Sequence, residues 1–265
     1  MCAKFNQVLA GLIPKGPIKE AFRSSYYSLY YNRKHFKEND FCVYYRGGNF
    51  EYAFENKVRF KSHQNMADEL KRSLKGYLAE YSLKPGDIVI DCGAFIGEFT
   101  LFAAKAVGPS GRVIAFEPNP KICEQLEANI VLNGLKNITV INKGLWSKDG
   151  MLKFVGDSEG DYSFVFTDGT PGAIEAPVVS LDNELARLGI KRVDFIKADI
   201  EGAELELIKG SEGTLDTNDL SIAAASYHTV DGKKSCFTLE NMLMLLGYKA
   251  HTGHPGHLTT YARKG

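Results

Sequence analysis

Long apolar runs are missing: nothing in the 265 residues approaches the roughly 18 consecutive apolar residues that a membrane-crossing helix needs. The stretch from Met1 to Pro17 also lacks the apolar core and cleavage pattern of a secretory leader. Cysteine is sparse and odd in number. Cys2, Cys42, Cys92, Cys123 and Cys236 are scattered without a Cys-x-x-Cys pair, which speaks against a disulfide framework and a zinc-finger ligand set and for a reducing, cytoplasmic compartment. An excess of charge is missing too. The 32 Lys+Arg balance 32 Asp+Glu, so no global basic field recruits nucleic acid. Repeats and low-complexity tracts are absent. What is there, 44% hydrophobic and 24% charged residues, is the make-up of one large globular domain or one domain with a modest extension.

The texture changes near Lys84-Pro85-Gly86-Asp87 and divides the chain into an N-terminal cap, 1–84, and a larger domain, 85–265. In the cap, Phe22, Tyr26, Leu29 and Tyr30 recur at helical spacing, as do Leu70, Leu74, Tyr77, Leu78 and Tyr81, which predicts two amphipathic helices. Between them Phe41 to Tyr45 and Asn49 to Phe54 flank Arg46-Gly47-Gly48, a hairpin turning on its glycines. Tyr26, Tyr27, Tyr30 and Tyr31, beside Arg33-Lys34-His35, read first as core contacts with one exposed face; rings stacking on a sugar or base are the alternative.

From Asp87 onward short apolar strands alternate with helical stretches, the pattern of a doubly wound α/β sheet with helices on both faces. The first three strands are Asp87 to Asp91, Arg112 to Phe116 and Ile138 to Ile141. Asn119 as N-cap, Pro120 behind it and Asn133-Gly134 at the far end bracket a helix. Met151 to Val155 and Tyr162 to Phe166 form an extra hairpin. The sheet is expected to resume at Val178 to Leu181, continue through Val193 to Ala198 and Leu220 to Ala225, and finish in a hairpin around His254-Pro255-Gly256.

The chemistry gathers at strand ends. The first strand runs into Asp91-Cys92-Gly93-Ala94-Phe95-Ile96-Gly97 and then a helix, a turn whose glycines let the backbone approach a ligand near free helix N–H groups. Dinucleotide enzymes carry Gly-x-Gly-x-x-Gly; here the middle glycine is absent, so a pyrophosphate fits poorly. About 20 residues on, Glu117 ends the second strand, where a carboxylate accepts hydrogen bonds from both ribose hydroxyls. Loop and acid together point to an adenosine-like ligand. The plainer reading makes Asp91 and Glu117 acids favoured near helix N-termini.

DIVIDCGAFIGEFT, VIAFEPNP, VVSLDNEL and VDFIKADIEGAELELIKG together resemble the FkbM-type methyltransferases, over roughly Pro85 to Gly210. The resemblance implies the class I S-adenosylmethionine-dependent fold, a doubly wound, mostly parallel sheet of about seven strands. It also implies S-adenosylmethionine as cofactor, with Asp91, Gly93, Ala94, Phe95 and Gly97 along its methionine part, Glu117 on the ribose and the backbone near Leu145 beside the adenine. Gly144 stands where many such enzymes place an acid, leaving adenine to backbone groups or to the hairpin's Asp161 or Ser163.

Asp199 and Glu201 follow the fourth parallel strand on the ligand-binding edge. They read either as a cofactor partner (Asp199) and a substrate or base residue (Glu201), or as caps of the next helix. Tyr227-His228 follows the fifth strand, and His228 is the first candidate for a general base, with Glu201 in its place otherwise. His251, His254 and His257 lie in a turn, and no metal is assigned to them; a cation on Asp199, Glu201 and His228 stays open, and metal is left out of the site. The implied reaction is O-methylation of a hydroxyl on a saccharide, glycan or polyketide-like metabolite, without nucleic acid or a membrane span. RNA or protein N-methylation, or a silent nucleoside-binding module, are the alternatives. The Asn/Asp-Pro-Pro-Tyr/Phe tetrapeptide of amino-methylating sites is missing after Ala198, where Asp199-Ile200-Glu201-Gly202 stands.

Overall fold

The computed structural model describes residues 16–35, 41–156, 164–166, 173–230 and 232–265, which fall into two compact units, 1–68 and 69–265. The division lies earlier than the change of texture near Lys84. The reason is the helix Ala67–Tyr77 and the segment after it: Leu74, Tyr77, Leu78, Tyr81 and Leu83 pack onto Val89, Phe99 and Phe195 of the larger unit.

In the first unit, α1 (Pro17–Ser25) continues through a π-helical stretch, Tyr26–Tyr31, into α2 (Asn32–His35). β1 (Phe41–Arg46) and β2 (Asn49–Phe54) form the expected hairpin, and β3 (Arg59–Ser62), which no sequence signal announced, extends it to three antiparallel strands. Gly47 and Gly48 both have left-handed φ, 55° and 82°, the requirement of the two-residue turn that matches strand twist. Val43, Tyr52 and Phe60 make the core, with the Tyr52 and Phe60 rings stacked at 4.7 Å. The tyrosines of the first helix keep one exposed face, as expected: Tyr26, Tyr27 and Tyr31 are half-buried and Tyr30 is exposed, their rings pack on one another, and Tyr27 lies edge-on to the buried Phe50 and accepts from Asn65 Nδ2 at 2.8 Å.

In the second unit, α3 (Ala67–Tyr77) precedes a seven-stranded sheet. Its strands are β4 (Ile88–Cys92), β5 (Arg112–Phe116), β6 (Ile138–Ile141), β11 (Phe195–Ala198), β12 (Ser221–Ala225), β15 (Tyr248–Gly253) and β16 (Thr259–Lys264), in spatial order β15-β16-β12-β11-β4-β5-β6. All neighbours are parallel except β16, antiparallel to β12 and β15. Both faces are buried. Val89, Val113 and Phe195 join one core cluster and Ile90, Ile114, Ile196 and Ile222 the other, as the twofold alternation of strand side chains requires. The helices are α4 (Glu98–Val107), α5 (Pro120–Asn133), α6 (Leu181–Arg187), α7 (Glu204–Lys209), α8 (Glu212–Thr217) and α9 (Ser235–Leu245). Asn119 caps α5 by accepting from Lys121 N at 3.0 Å, and Gly134 closes it in left-handed conformation.

Val178 to Leu181 does not resume the main sheet. β10 (Ile174–Val179) belongs to a separate four-stranded sheet with β7 (Gly144–Leu145), β8 (Gly150–Gly156) and β9 (Phe164–Phe166). Its Ala176 and Val178 bury against Phe154 in a core of their own. Ser180 then caps α6, accepting from Asn183 N at 3.3 Å. β8 and β9 pair antiparallel as the expected hairpin; Asp161 and Ser163 lie outside the described residues. β13 (Thr229–Val230) and β14 (Lys233–Lys234) form a short ribbon before α9.

Candidate active site

β4 and β11 are adjacent, yet the chain leaves them toward opposite ends of the sheet, to β5 and to β12. Such a switch point opens a crevice at the carboxyl ends of the strands, and the candidate residues gather there. Gly93 has φ +75°, and a Cβ on it would stand 1.9 Å from the Asp199 carbonyl oxygen. Gly97 has φ +99°, and a Cβ there would meet Leu126 Cδ1 at 2.5 Å. These glycines therefore let the first loop close onto the end of β11 and onto α5. Gly93 N and Ala94 N both donate to Phe116 O, at 3.0 and 2.9 Å, and Phe95 takes a left-handed φ of 48°.

That turn aims Phe95 N at Glu117 Oε2, 3.0 Å away, while Asn119 N donates to Oε1 at 2.9 Å. Each carboxylate oxygen keeps a further acceptor position. Burial pushes the Glu117 carboxyl up to about 7, against the pull of these two N–H groups. Glu98, which the sequence reading passed over, is the first residue of α4; its Oε2 is buried without a hydrogen-bond partner, and burial raises its pKa to about 8 against the attraction of Lys197.

Beneath the loop is a buried charge network. Lys197 Nζ lies 3.0 Å from Asp91 Oδ1 and donates to Gly93 O at 2.6 Å and Cys92 O at 3.2 Å. Asp91 Oδ2 accepts from Thr100 Oγ1 at 2.5 Å. Burial acts to lower the Lys197 pKa, but Asp91, Asp199 and Glu98 outweigh it and hold the ammonium charged. Asp91, expected beside the cofactor, is fully buried, and its carboxylate is engaged in holding the loop from below.

At the end of β11, Asp199 Oδ2 accepts from Tyr77 OH at 2.6 Å, and Tyr227 OH reaches Asp199 at 3.1 Å. Tyr77 OH also lies 3.3 Å from Nε2 of the buried His257. His228 stands 3.3 Å from Glu201 Oε2, 3.3 Å from Glu204 Oε1 and 3.8 Å from Asp199 Oδ1. Burial disfavours charge on this ring, but the three carboxylates prevail and push its pKa up to about 10. As folded here His228 is an imidazolium near neutral pH, which is the opposite of what a general base needs. Glu201 adopts a left-handed φ of 55°, a conformation that costs a non-glycine residue about 1–2 kcal/mol. Strain of this kind concentrates at functional positions.

The structure thus gathers Gly93, Ala94, Phe95, Gly97 and Glu117 at the ends of β4 and β5, and Asp199, Glu201 and His228 at the ends of β11 and β12, with Gly93 packed directly on Asp199. Leu145 packs its side chain in the apolar core and pairs its backbone with Val179, and Gly144 before it packs against Pro118, the neighbour of Glu117. His251, in β15, pairs with Glu80 at 2.8 Å, while His254 and His257 both stand over Gly76 and His257 faces Tyr77. Four residues escaped the sequence reading as site members: Tyr77, Glu98, Lys197 and Glu204. Lys197 carried a signal, the one charge within the otherwise apolar strand Phe195–Ala198. Tyr77 carried none, since it reaches Asp199 across 122 positions of chain.

A methyltransferase FkbM from Methylobacillus flagellatus KT superimposes with a TM-score of 0.50 at 20% identity, over 69% of this chain and 45% of that one. That likeness shows the fold, the class I methyltransferase type of Rossmann-like sheet. The methyltransferase FkbM domain model matches residues 91–252, more than half of the chain. The protein belongs to the FkbM methyltransferase family. Among curated relatives, methyltransferase sdnD of Sordaria araneosa is 29% identical over 161 residues, covering 49% of this chain and 62% of that protein. The 31-O-demethyl-FK506 methyltransferase FkbM of Streptomyces tacrolimicus is 29% identical over 180 residues, 57% of this chain and 68% of the relative. The chain therefore spans about two thirds of the length of these relatives. Among the described residues no helix is long and apolar enough to cross a membrane.

Proposed function

We propose that this chain is an S-adenosylmethionine-dependent O-methyltransferase acting on a hydroxyl of a small-molecule or glycan acceptor. The observation that carries the reading is the Gly93 to Gly97 turn set against Glu117, whose two oxygens each hold one backbone N–H and keep capacity for the two hydroxyls of a ribose. The buried, unpartnered Glu98 Oε2 and the burial-raised Glu117 also suit a cationic ligand, whose positive charge offsets the penalty for ionising them. Bound there, S-adenosylmethionine supplies a methyl group already activated on a sulfonium.

What remains for the protein is to orient an acceptor oxygen, exclude water and receive a proton. Tyr77 and Tyr227 fix the Asp199 carboxylate at the crevice. Glu201 receives the acceptor's proton, and His228, 3.3 Å from its Oε2, is a positioning residue. A cavity of about 340 Å³ lined by Tyr227, His257, Pro255, Arg72 and Lys234 adjoins this edge. It has room for a small acceptor or one sugar unit. One relative is the methyltransferase of 31-O-demethyl-FK506, in keeping with such an acceptor.

Extraction of small molecules that copurify with the protein, followed by mass spectrometry, tests the reading: an adenosyl sulfonium or thioether supports it, and a nicotinamide dinucleotide ends it. A pH series adds a check. Because Glu117 titrates near 7 instead of in the ordinary carboxylate range, its charged, hydroxyl-accepting form is complete above that pH and is lost below it. Calorimetric affinity for S-adenosylmethionine is expected to fall by up to about tenfold per pH unit below 7. Glu117→Gln should bind more weakly and lose that slope; a slope preserved in the variant assigns it to another group.

A further inference from the structure

Asp199, Glu204 and His228 each offer one ligand atom, and the three atoms lie within 4.8 Å of one another. They come from three separate places, the end of β11, the start of α7 and the loop after β12, so the convergence is a product of the fold. Two of the groups are left wanting. Glu204 is 1% exposed; its Oε1 accepts from Ile200 N at 2.9 Å, while its Oε2 is buried with no hydrogen-bond partner. Both ring nitrogens of His228 are buried, and neither is aligned for a hydrogen bond, although carboxylate oxygens stand 3.3 Å away. A carboxylate oxygen buried this deeply without a donor is costly. A cation coordinated by two carboxylates and an imidazole removes the deficit, and that mixed oxygen and nitrogen set suits a divalent first-row metal.

We propose that Asp199, Glu204 and His228, whose ring proton the ion displaces, hold a divalent metal ion of the manganese or zinc type at the acceptor side of the crevice. Glu204 completes the set, where the sequence had offered Glu201. A six-coordinate ion with three protein ligands keeps positions for acceptor oxygens, and a hydroxyl bound there becomes more acidic. This role deepens the O-methyltransferase reading and rests on it; the metal site itself does not.

The test uses the full chain, stripped with a chelator and titrated with Mn²⁺ alone by electron paramagnetic resonance and with Zn²⁺ by calorimetry. One saturable ion per chain is expected, with affinity lowered on the order of tenfold or more in Glu204→Gln and in His228→Gln. Circular dichroism verifies that both variants are folded; should either fail to fold, Asp199→Asn replaces it. Absence of saturable binding of both ions at millimolar concentration, or binding unchanged in the folded variants, overturns the proposal. Titration of the metal-free chain with S-adenosylmethionine separates the two readings. Cofactor binding without metal binding leaves the function standing and removes this site, whereas metal binding without cofactor binding does the reverse.

Discussion

Gly93→Ala is expected to weaken S-adenosylmethionine binding by on the order of a hundredfold or more, about 2.7 kcal/mol, while the chain stays folded. Two effects combine. Alanine at φ +75° is strained by about 1–2 kcal/mol, and its Cβ would stand 1.9 Å from the Asp199 carbonyl oxygen, a backbone atom with no flexible end to swing aside. Relief requires the loop and the end of β11 to separate. That movement shifts Phe95 N from Glu117 and Asp199 from its place opposite. Calorimetry on the variant, with circular dichroism to verify the fold, measures the effect. Affinity equal to that of the unaltered protein would show that the turn does not shape the cofactor site.

Lys197→Met is the second large effect, and it falls on stability. Removing the ammonium leaves Asp91 buried beneath the loop without its partner, at 0% exposure. Breaking such a pair from one side costs about 3–5 kcal/mol. Asp91→Asn combined with Lys197→Met should recover most of the loss, because the stranded charge is then gone. Urea denaturation of the three proteins checks this. A single variant within about 0.5 kcal/mol of the unaltered chain, the range of an ordinary surface change, would remove the network from the account of the loop.

Much of the fold was legible because local signals and global structure agree. Glycines after apolar strands, the Asn119-Pro120 cap and Asn133-Gly134 mark boundaries by backbone chemistry alone, and the structure keeps them. Val178 to Leu181 misled because a short apolar run specifies extension but not a partner, and Phe154 supplied a different one. The cap boundary misled because composition changes at Lys84, whereas packing is decided by Leu74, Tyr77, Leu78 and Tyr81, whose apolar sides lie on the sheet. The tyrosines of the first helix have the period of a half-buried face, and the hairpin supplies the surface on which Tyr27 packs, which periodicity alone does not name.

Of the site, the sequence by itself determined which residues stand at strand ends: Glu117 after β5, Asp199 after β11 and His228 after β12 follow from strand, turn and helix order. It also determined that the first loop must be rich in glycine. Tertiary structure decided what those groups do. The charge state of His228 depends on Glu201, Glu204 and Asp199 all facing one ring, and the place of Lys197 depends on two strands, 105 positions apart at Cys92, lying side by side. Coulomb energy and desolvation are set by distances through space and by the surrounding dielectric. Neither quantity is a function of position along the chain.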